Sequence, residues 1–310
     1  MLVLWSLLVL VFGIIACSTS AIFIRLSQIP PITLAAYRLL GAAALLLPSF
    51  VKAWHTQRPA MTRRELFLPP VWSGAMLALH FITWITAARL TPVANASFII
   101  NLSPLVMPML LYLFLHEKIN RSEALSTAVV LIGLVVLGYS DYKINPTYFK
   151  GDLLCFVSML FLSIYLVLGR KNLAKINLWL YMVPVYFYGF CFCFLFALGF
   201  ENPIVNYGAR EIGLALAIAL IPTVIGHTVL NYAMRRLRGQ LVSILSMFQF
   251  VFAGIFSYYI FQEVPSTTFY VVSFMLTLSA VLVTVGAARR ERSSPIGSSH
   301  QETNTLKTGV

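Results

Sequence analysis

The chain is built mostly of apolar stretches that are each about as long as a bilayer is thick. A transmembrane helix needs ~20 predominantly apolar residues, and ten such stretches follow one another in this sequence. They cover approximately Leu2–Ile24, Pro30–Phe50, Pro70–Arg89, Val93–Leu115, Ala124–Ser140, Asp152–Gly169, Leu180–Phe200, Ile212–Met234, Leu241–Phe261 and Thr267–Ala287. The sequence therefore predicts an all-α integral membrane protein with ten transmembrane helices.

Composition excludes the main alternative classes. Of the 310 residues, 59% are hydrophobic and 10% charged, whereas soluble domains carry about 45–50% apolar and ~25% charged residues. The net charge of +12 does not indicate nucleic-acid binding, because the sequence has no basic stripe. The four cysteines lie inside apolar stretches, where a free thiol packs as a small apolar group. We expect no metal site and no cofactor.

The basic residues predict the orientation in the membrane. If the N-terminus is cytoplasmic, the cytoplasmic segments hold 16 of the 22 Lys and Arg residues and the external segments hold 5, with Arg38 inside a span. Cytoplasmic loops are enriched in Lys and Arg, so both termini are expected in the cytoplasm. Residues 141–150 would then be an external linker, and residues 289–310 a disordered cytoplasmic tail.

The sequence repeats itself weakly with an offset of 146 residues. Leu113–Glu117 (LFLHE) ends the fourth span, and Tyr259–Glu263 (YIFQE) ends the ninth. The same offset aligns three further pairs, namely Ala87 with Ala233, Ser97 with Ser243, and Pro108 with Gly254. Each half, residues 1–140 and 151–288, holds five spans. An odd number of spans inserts the halves in opposite orientations, and such an inverted repeat is typical of secondary transporters.

Two stretches, one in each half, share a pattern of related residues. The first is LTPVANASFIINLSPL at residues 90–105, which runs on to HEKI at 116–119; the second runs from YAM at 232–234 through LS at 245–246 to QE at 262–263. Both stretches resemble the EamA module of the drug/metabolite transporter superfamily. The resemblance covers about residues 1–288. It implies two inverted five-helix repeats and transport, often export, of small metabolites such as amino acids. The family's second repeat commonly has Glu-Pro in the middle of span nine, where this chain has Gln249 and Phe250, so that charge and kink are expected to be absent.

Proline and glycine residues are candidates for helix kinks and gating. Pro104 and Pro108 lie in span four, Pro222 in span eight and Gly254 in span nine. Proline removes a helix hydrogen bond, and interrupted helices at corresponding positions of two halves point to a binding site. The alternative is that both residue types are simply common in membrane helices.

Ionisable groups inside the spans are candidates for substrate binding, because their burial in hydrocarbon is costly. Arg38 would pair with a substrate carboxylate, or else extend toward the outer interface. His80 and His227 lie near the middle of spans three and eight and would bind substrate or carry a coupled proton or other ion. A purely structural role for both histidines is the alternative.

Neutral polar and aromatic side chains complete the expected site. Asn101, Asn231 and Gln249 either line a cavity or bond neighbouring helices, while Trp84 and Tyr165 offer flat faces with one polar edge. Because the sequence has no Asp or Glu deep in any span, a neutral, zwitterionic or carboxylate-bearing metabolite is favoured over a strongly cationic one.

The leading hypothesis is a multi-pass transporter in the cell membrane, of bacterial inner-membrane type, that works by alternating access. The alternatives are a carrier of a nucleotide-sugar or lipid-linked substrate and a non-transporting membrane subunit. An enzyme is not expected, since residues 116–120 (HEKIN) lack the second histidine of the zinc-protease helix.

Overall fold

The computed structural model describes residues 2–56, 62–116, 121–237, 239–275 and 277–279. Every regular element within these residues is a helix. The expected tail at 289–310 and the end of the tenth span lie outside the described residues. The helices are α1 (Leu2–Ser18), α2 (Ser20–Leu26), α3 (Pro31–Thr56), α4 (Arg63–Ala87), α5 (Val93–Ile100), α6 (Ser103–Leu115), α7 (Arg121–Ile144), α8 (Pro146–Leu173), α9 (Leu178–Phe200), α10 (Ala209–Ile218), a π-helical segment (Ala219–His227), α11 (Thr228–Arg236), α12 (Gly239–Ser246) and α13 (Gln249–Phe261).

Seven helical stretches among the described residues are long and apolar enough to cross a bilayer. They are Trp5–Leu26, Pro31–Thr56, Arg63–Ala87, Thr147–Leu173, Leu178–Phe200, Ala209–Arg236 and Leu241–Phe261. Two shorter apolar helices, Val106–Leu115 and Thr267–Ser279, fall in the expected fourth and tenth spans, and α7 covers the expected fifth. The expected all-helical, multi-span class is confirmed, and the count of ten stays a prediction.

The structure repeats with the offset of 146 residues that the sequence suggests. Helices α5 and α6 are separated by a break at Asn101 and Leu102, and α12 and α13 by a break at Met247 and Phe248. Adding 146 to the bounds of α5 and α6 gives the bounds of α12 and α13. The residues that follow α6 and α13, His116 and Gln262, both take the left-handed conformation, with φ of 55° and 56°. The two broken helices are therefore structural equivalents.

The break before α13 overturns one expectation. The replacement of Glu-Pro by Gln249 and Phe250 predicted a span without a kink, yet the chain interrupts the helix directly before Gln249. The first broken helix has Pro104 near the start of α6, and the second has no proline there. In both cases the last amides turn back to carbonyls three residues earlier, Leu102 N to Ile99 O at 3.1 Å and Phe248 N to Leu245 O at 3.1 Å. This tight turn provides hydrogen bonds for the backbone amides at the break, so no proline is needed there.

The remaining proposed kink positions lie in different local structures. Pro108 lies inside the continuous helix α6, and Gly254 lies inside α13, seven residues after the break at Met247. Pro222 lies within the π-helical segment. Of these three positions, Pro222 is the one that coincides with irregular helical geometry.

Helix α3 and its equivalent in the second half, α9, run in opposite directions. Glu201, directly after α9, accepts hydrogen bonds from the amides of Ile32 and Thr33 at 3.0 and 2.7 Å, so the end of α9 lies beside the start of α3. The 146-residue offset maps α3 onto α9. An antiparallel pair of equivalent helices is the geometry expected between the halves of an inverted repeat.

Helices α4 and α9 cross at a pair of glycines. A Cβ at Gly74 would lie 2.8 Å from the Val185 carbonyl oxygen and 2.9 Å from the Gly189 nitrogen. Both are backbone atoms, which cannot move as a flexible side chain does. Small residues at such crossings let helix backbones approach closely in membranes, and this contact holds α4, which carries His80, against α9.

We expect Gly74→Val to destabilise the protein by about 1–3 kcal/mol, the usual cost of overpacking. Gly213→Val in α10 is the matched control, because no atom lies within 4 Å of a Cβ added there. The measurement is the midpoint of thermal unfolding in detergent. Equal midpoints for the two variants would contradict a close α4–α9 crossing.

Candidate functional site

A small cavity in the middle of the bundle collects most of the predicted site residues. It is lined by Cys17, Ser20, Arg38, His80, Trp84, Ile100, Asn101, Leu162, Pro222, His227, Leu230 and Gln249. These residues come from both halves of the chain and from both broken helices. The cavity volume of about 40 Å³ is enough for one water molecule and too small for a metabolite.

Arg38 points into the protein. Only 1% of its surface is exposed, which contradicts the alternative that the side chain extends to the interface. Its Nε donates to Thr223 Oγ1 at 2.6 Å, and its Nη1 donates to Ser20 Oγ at 3.1 Å. The guanidinium carbon lies 3.8 Å from the centre of the Phe81 ring, a cation–π contact.

The surroundings of Arg38 hold its charge without neutralising it. Two of the five guanidinium N–H groups are engaged by hydroxyl oxygens, and within the described residues no carboxylate contacts the side chain. A buried cation without an anionic partner is costly. The remaining N–H groups can therefore bind an anion that enters the cavity.

The π-helical segment positions Thr223 for this contact. Pro222 has no amide hydrogen, so it cannot donate to the Ile218 carbonyl as an α-helical residue would. The Thr223 hydroxyl donates to that carbonyl instead, at 2.8 Å, and its oxygen accepts from Arg38. Wide turns of this kind recur at functional sites. Cys17 also approaches here, with Sγ 3.7 Å from the Pro222 oxygen.

His80 is held by Ser158 of α8. The Ser158 hydroxyl donates to the His80 carbonyl at 2.8 Å, and His80 Nδ1 lies 2.8 Å from Ser158 Oγ. Since the hydroxyl has one hydrogen, Nδ1 carries the proton of that contact in the neutral ring. This assignment leaves Nε2 of a cavity-lining imidazole as an acceptor.

His227 lies beside His80 across the two halves. Their ring centres are 5.8 Å apart, and Phe81 contacts His227 edge-on at 5.1 Å. Nδ1 of His227 is buried and accepts or donates no hydrogen bond within the described part of the chain. Phe81 therefore lies between the guanidinium and an imidazole that has an unused nitrogen.

Trp84, Asn101 and Gln249 lie in the cavity wall, which is one of the two positions that the sequence left open for the amides. The Trp84 indole N–H donates to Ser20 Oγ at 3.3 Å, so Ser20 joins Trp84 to Arg38. Asn101 donates to the Ser97 carbonyl at 2.7 Å, at the end of α5, and Gln249 starts α13. The helix breaks thus bring two amide side chains to the cavity.

Tyr165 and Asn231 lie next to the cavity and do not line it. Asn231 Nδ2 donates to the Tyr165 hydroxyl at 2.5 Å and to the His227 carbonyl at 2.9 Å. Asn231 Oδ1 faces Gly169 of α8. This pair joins α8 to α11, and Asn231 also bonds the backbone of His227. The geometry therefore does not favour direct contact of Tyr165 or Asn231 with substrate.

Sequence reasoning missed the residues that hold the ionisable groups. Ser20, Thr223 and Ser158 carry no signal by themselves, because Ser and Thr are common in membrane helices. Phe81 was one of 23 phenylalanines. The proline at 222 is the one local signal that could have directed attention to Thr223.

This fold and site define a multi-pass membrane protein with a small cavity, lined by ionisable and amide side chains, between two related halves. The model of the EamA-like transporter family matches residues 3–139 and 149–285. The chain belongs to this family of transporters. The resemblance read from the sequence, the transporter class and the expectation that the chain is not an enzyme are confirmed.

Individual relatives agree with this class. An uncharacterized transporter of Archaeoglobus fulgidus is 27% identical over 295 residues, which cover 89% of this chain and 96% of that protein. The pseudopaline exporter CntI of Pseudomonas aeruginosa is 25% identical over 196 residues, or 62% of this chain and 66% of the exporter. A protein of known crystal structure has a TM-score of 0.71 at 19% identity and covers 92% of this chain and 98% of its own, which shows a shared fold.

A stability comparison tests whether Arg38 is retained for function. Arg38→Met is expected to unfold at the same or a higher temperature than the wild type, because replacing an uncompensated buried charge by an apolar side chain is often neutral or stabilising. Arg170→Met is the matched control and is expected to unfold at a lower temperature, because Arg170 donates to the Met234 and Leu237 carbonyls, both at 2.5 Å.

Thermal unfolding in detergent measures both variants. A loss of stability in Arg38→Met as large as that in Arg170→Met would assign Arg38 a structural role and contradict the functional one.

Proposed function

We propose that this protein is a secondary transporter that exports small metabolites bearing a carboxylate, such as amino acids, by alternating access. Ten spans in two inverted repeats, residues 1–140 and 151–288, are part of the proposal, with both termini in the cytoplasm. The two family matches and the equivalence of α5–α6 with α12–α13 support the repeat. The predominance of Lys and Arg in the segments assigned to the cytoplasm supports the orientation.

The observation that carries the substrate class is the unneutralised guanidinium of Arg38 in the central cavity. Its free N–H groups suit the two oxygens of a carboxylate. The cavity wall adds the imidazoles of His80 and His227 and the amides of Asn101 and Gln249, which can bond other polar groups of a metabolite. Without a carboxylate in the wall, a strongly cationic substrate would meet only repulsion from Arg38.

The small volume of the cavity supports alternating access. At about 40 Å³ the cavity holds no metabolite, so substrate must enter a different arrangement of the two halves. Rocking of one repeat against the other around a central site would provide that arrangement. Export as the direction is favoured by the relative named as an exporter.

Counterflow in proteoliposomes tests carrier activity and the role of Arg38. Vesicles are loaded with unlabelled amino acids and related carboxylates, and entry of each labelled compound is followed. The wild type should accumulate one class of label transiently. Arg38→Ala should reduce its initial rate at least tenfold, because the carboxylate loses a charge-assisted pair worth ~1.5–3 kcal/mol. Arg236→Ala, an exposed residue of α11, is the matched control and should keep the wild-type rate.

Preference of the wild type for polyamines or quaternary ammonium compounds would contradict the proposed substrate class. Unchanged carboxylate counterflow in Arg38→Ala would contradict the role of the guanidinium.

The histidine pair is the proposed site of proton coupling. His80 and His227 lie 5.8 Å apart, and a bound carboxylate would offset the charge of Arg38 beside them. A proton on either imidazole would then have an anion nearby. His227 has the unused nitrogen, which makes it the stronger candidate of the two.

Substrate-driven proton movement tests this coupling. With a pH-sensitive dye inside the vesicles, a substrate gradient should change the internal pH for the wild type. His227→Gln should lose that change while it keeps exchange of labelled for unlabelled substrate, since exchange needs no net proton movement. His55→Gln, at the exposed end of α3, should behave like the wild type. Absence of any pH change with active wild-type protein would contradict proton coupling.

A further inference from the structure

One arginine ties together several chain segments at the end of the bundle where α2 ends. Arg25 Nε donates to the Ala88 carbonyl at 3.0 Å, and Nη2 donates to the Thr91 carbonyl at 2.6 Å. These carbonyls lie at the end of α4 and in the turn that leads to α5. Arg25 Nη1 forms an ion pair with Glu263, which follows α13. The contact therefore joins the first half of the chain to the second.

Glu263 strengthens this connection through its second oxygen. Oε2 accepts from the amide of Val93, the first residue of α5, at 3.1 Å and from the Ser257 hydroxyl of α13 at 2.7 Å. A carboxylate at the start of a helix satisfies a free amide and the positive end of the helix dipole. The start of α5 and the end of α13 are thus held side by side by one charged pair.

The opposite end of the bundle carries a matching arginine. Arg170, near the end of α8, donates through Nη1 to the carbonyls of Met234 and Leu237, both at 2.5 Å. Adding 146 to 88 and 91 gives 234 and 237, so the two arginines bond carbonyls at equivalent positions of the two repeats. Arg25 and Arg170 are themselves offset by 145 residues. The arginine–carbonyl contact is therefore repeated at both ends, each time within one half of the chain, while the ion pair to the other half is described for Arg25.

We propose that Arg25 and Arg170 are two latches that close the transport pathway at opposite ends of the bundle, and that the Arg25–Glu263 pair separates when the pathway opens at its end. Arg25 bonds the segment between α4 and α5, and Arg170 bonds the end of α11 and the residue that follows it. The inference rests on the proposed transport function. Both contacts are made in this structure, and the cavity between them has a volume of only about 40 Å³.

The partial exposure of the Arg25–Glu263 pair suits a contact that opens and closes. The side chains are 23% and 27% exposed, so water can solvate both charges when they part. A fully buried pair would leave uncompensated charges on separation. The pair is therefore strong enough to hold the closed end and can still be broken by movement of the two halves.

Cys17 offers a probe for the opening, because it lines the central cavity and is 7% exposed. The chain has three other cysteines, Cys155, Cys191 and Cys193, and their replacement by Ala leaves a single thiol. A charged, membrane-impermeant maleimide added to sealed vesicles from one side then reports access from that side.

We expect Arg25→Gln and Glu263→Gln each to raise the labelling rate of Cys17 at least fivefold from the Arg25 side and to leave the rate from the opposite side unchanged. Arg170→Gln should raise the rate only from the opposite side. Lys150→Gln is the matched control, because Lys150 is exposed near the start of α8, at the same end as Arg25; it should label at the background rate.

Two outcomes would overturn the latches. Labelling that stays at the background rate in Arg25→Gln and Glu263→Gln would show that the pair does not close the pathway. Labelling that rises from both sides would show general loosening of the fold. The readout needs no substrate, so side-specific labelling together with absent counterflow would retain the latches and reject the proposed transport.

Discussion

The structure depends on the way it solvates one guanidinium inside an apolar bundle. Arg38 is bonded to Thr223 of the π-helical segment and to Ser20 at the start of α2, and it lies on the ring of Phe81 in α4. Thr223 lies in a wide helical turn, Ser20 follows the break between α1 and α2, and Phe81 belongs to α4. The wide turn around Pro222 and the break between α1 and α2 are therefore part of one arrangement that keeps a charge in a low-dielectric interior.

The sequence predicted the helices and the ionisable members of the site for a clear physical reason. Runs of about twenty apolar residues have few structural solutions in a bilayer, and a charge within such a run is costly enough to indicate function. Arg38, His80 and His227 followed from that rule, and all three line the cavity. The rule needs no knowledge of their partners, because it depends only on the cost of placing an ionisable group inside an apolar run.

The partners could not be predicted, because they lie far away in the sequence. Thr223 is 185 residues from Arg38, and Ser158 is 78 residues from His80. Hydroxyl side chains bond locally in many membrane helices, so their type gives no signal of a distant contact. The break before Gln249 was missed for a similar reason: it is closed by backbone hydrogen bonds, which do not require a proline or a particular side chain.

The fold is symmetric while its central site is not. The offset of 146 maps Arg38 onto Pro184 and His80 onto Gly226, so neither ionisable residue has an equivalent in the other half. The broken helices and the arginine contacts at the two ends, by contrast, are repeated. Alternating access requires two equivalent closed ends, which symmetry supplies, whereas binding an unsymmetrical metabolite requires an unsymmetrical set of groups. Repetition at the two ends together with divergence in the cavity would satisfy both requirements of the proposed transport.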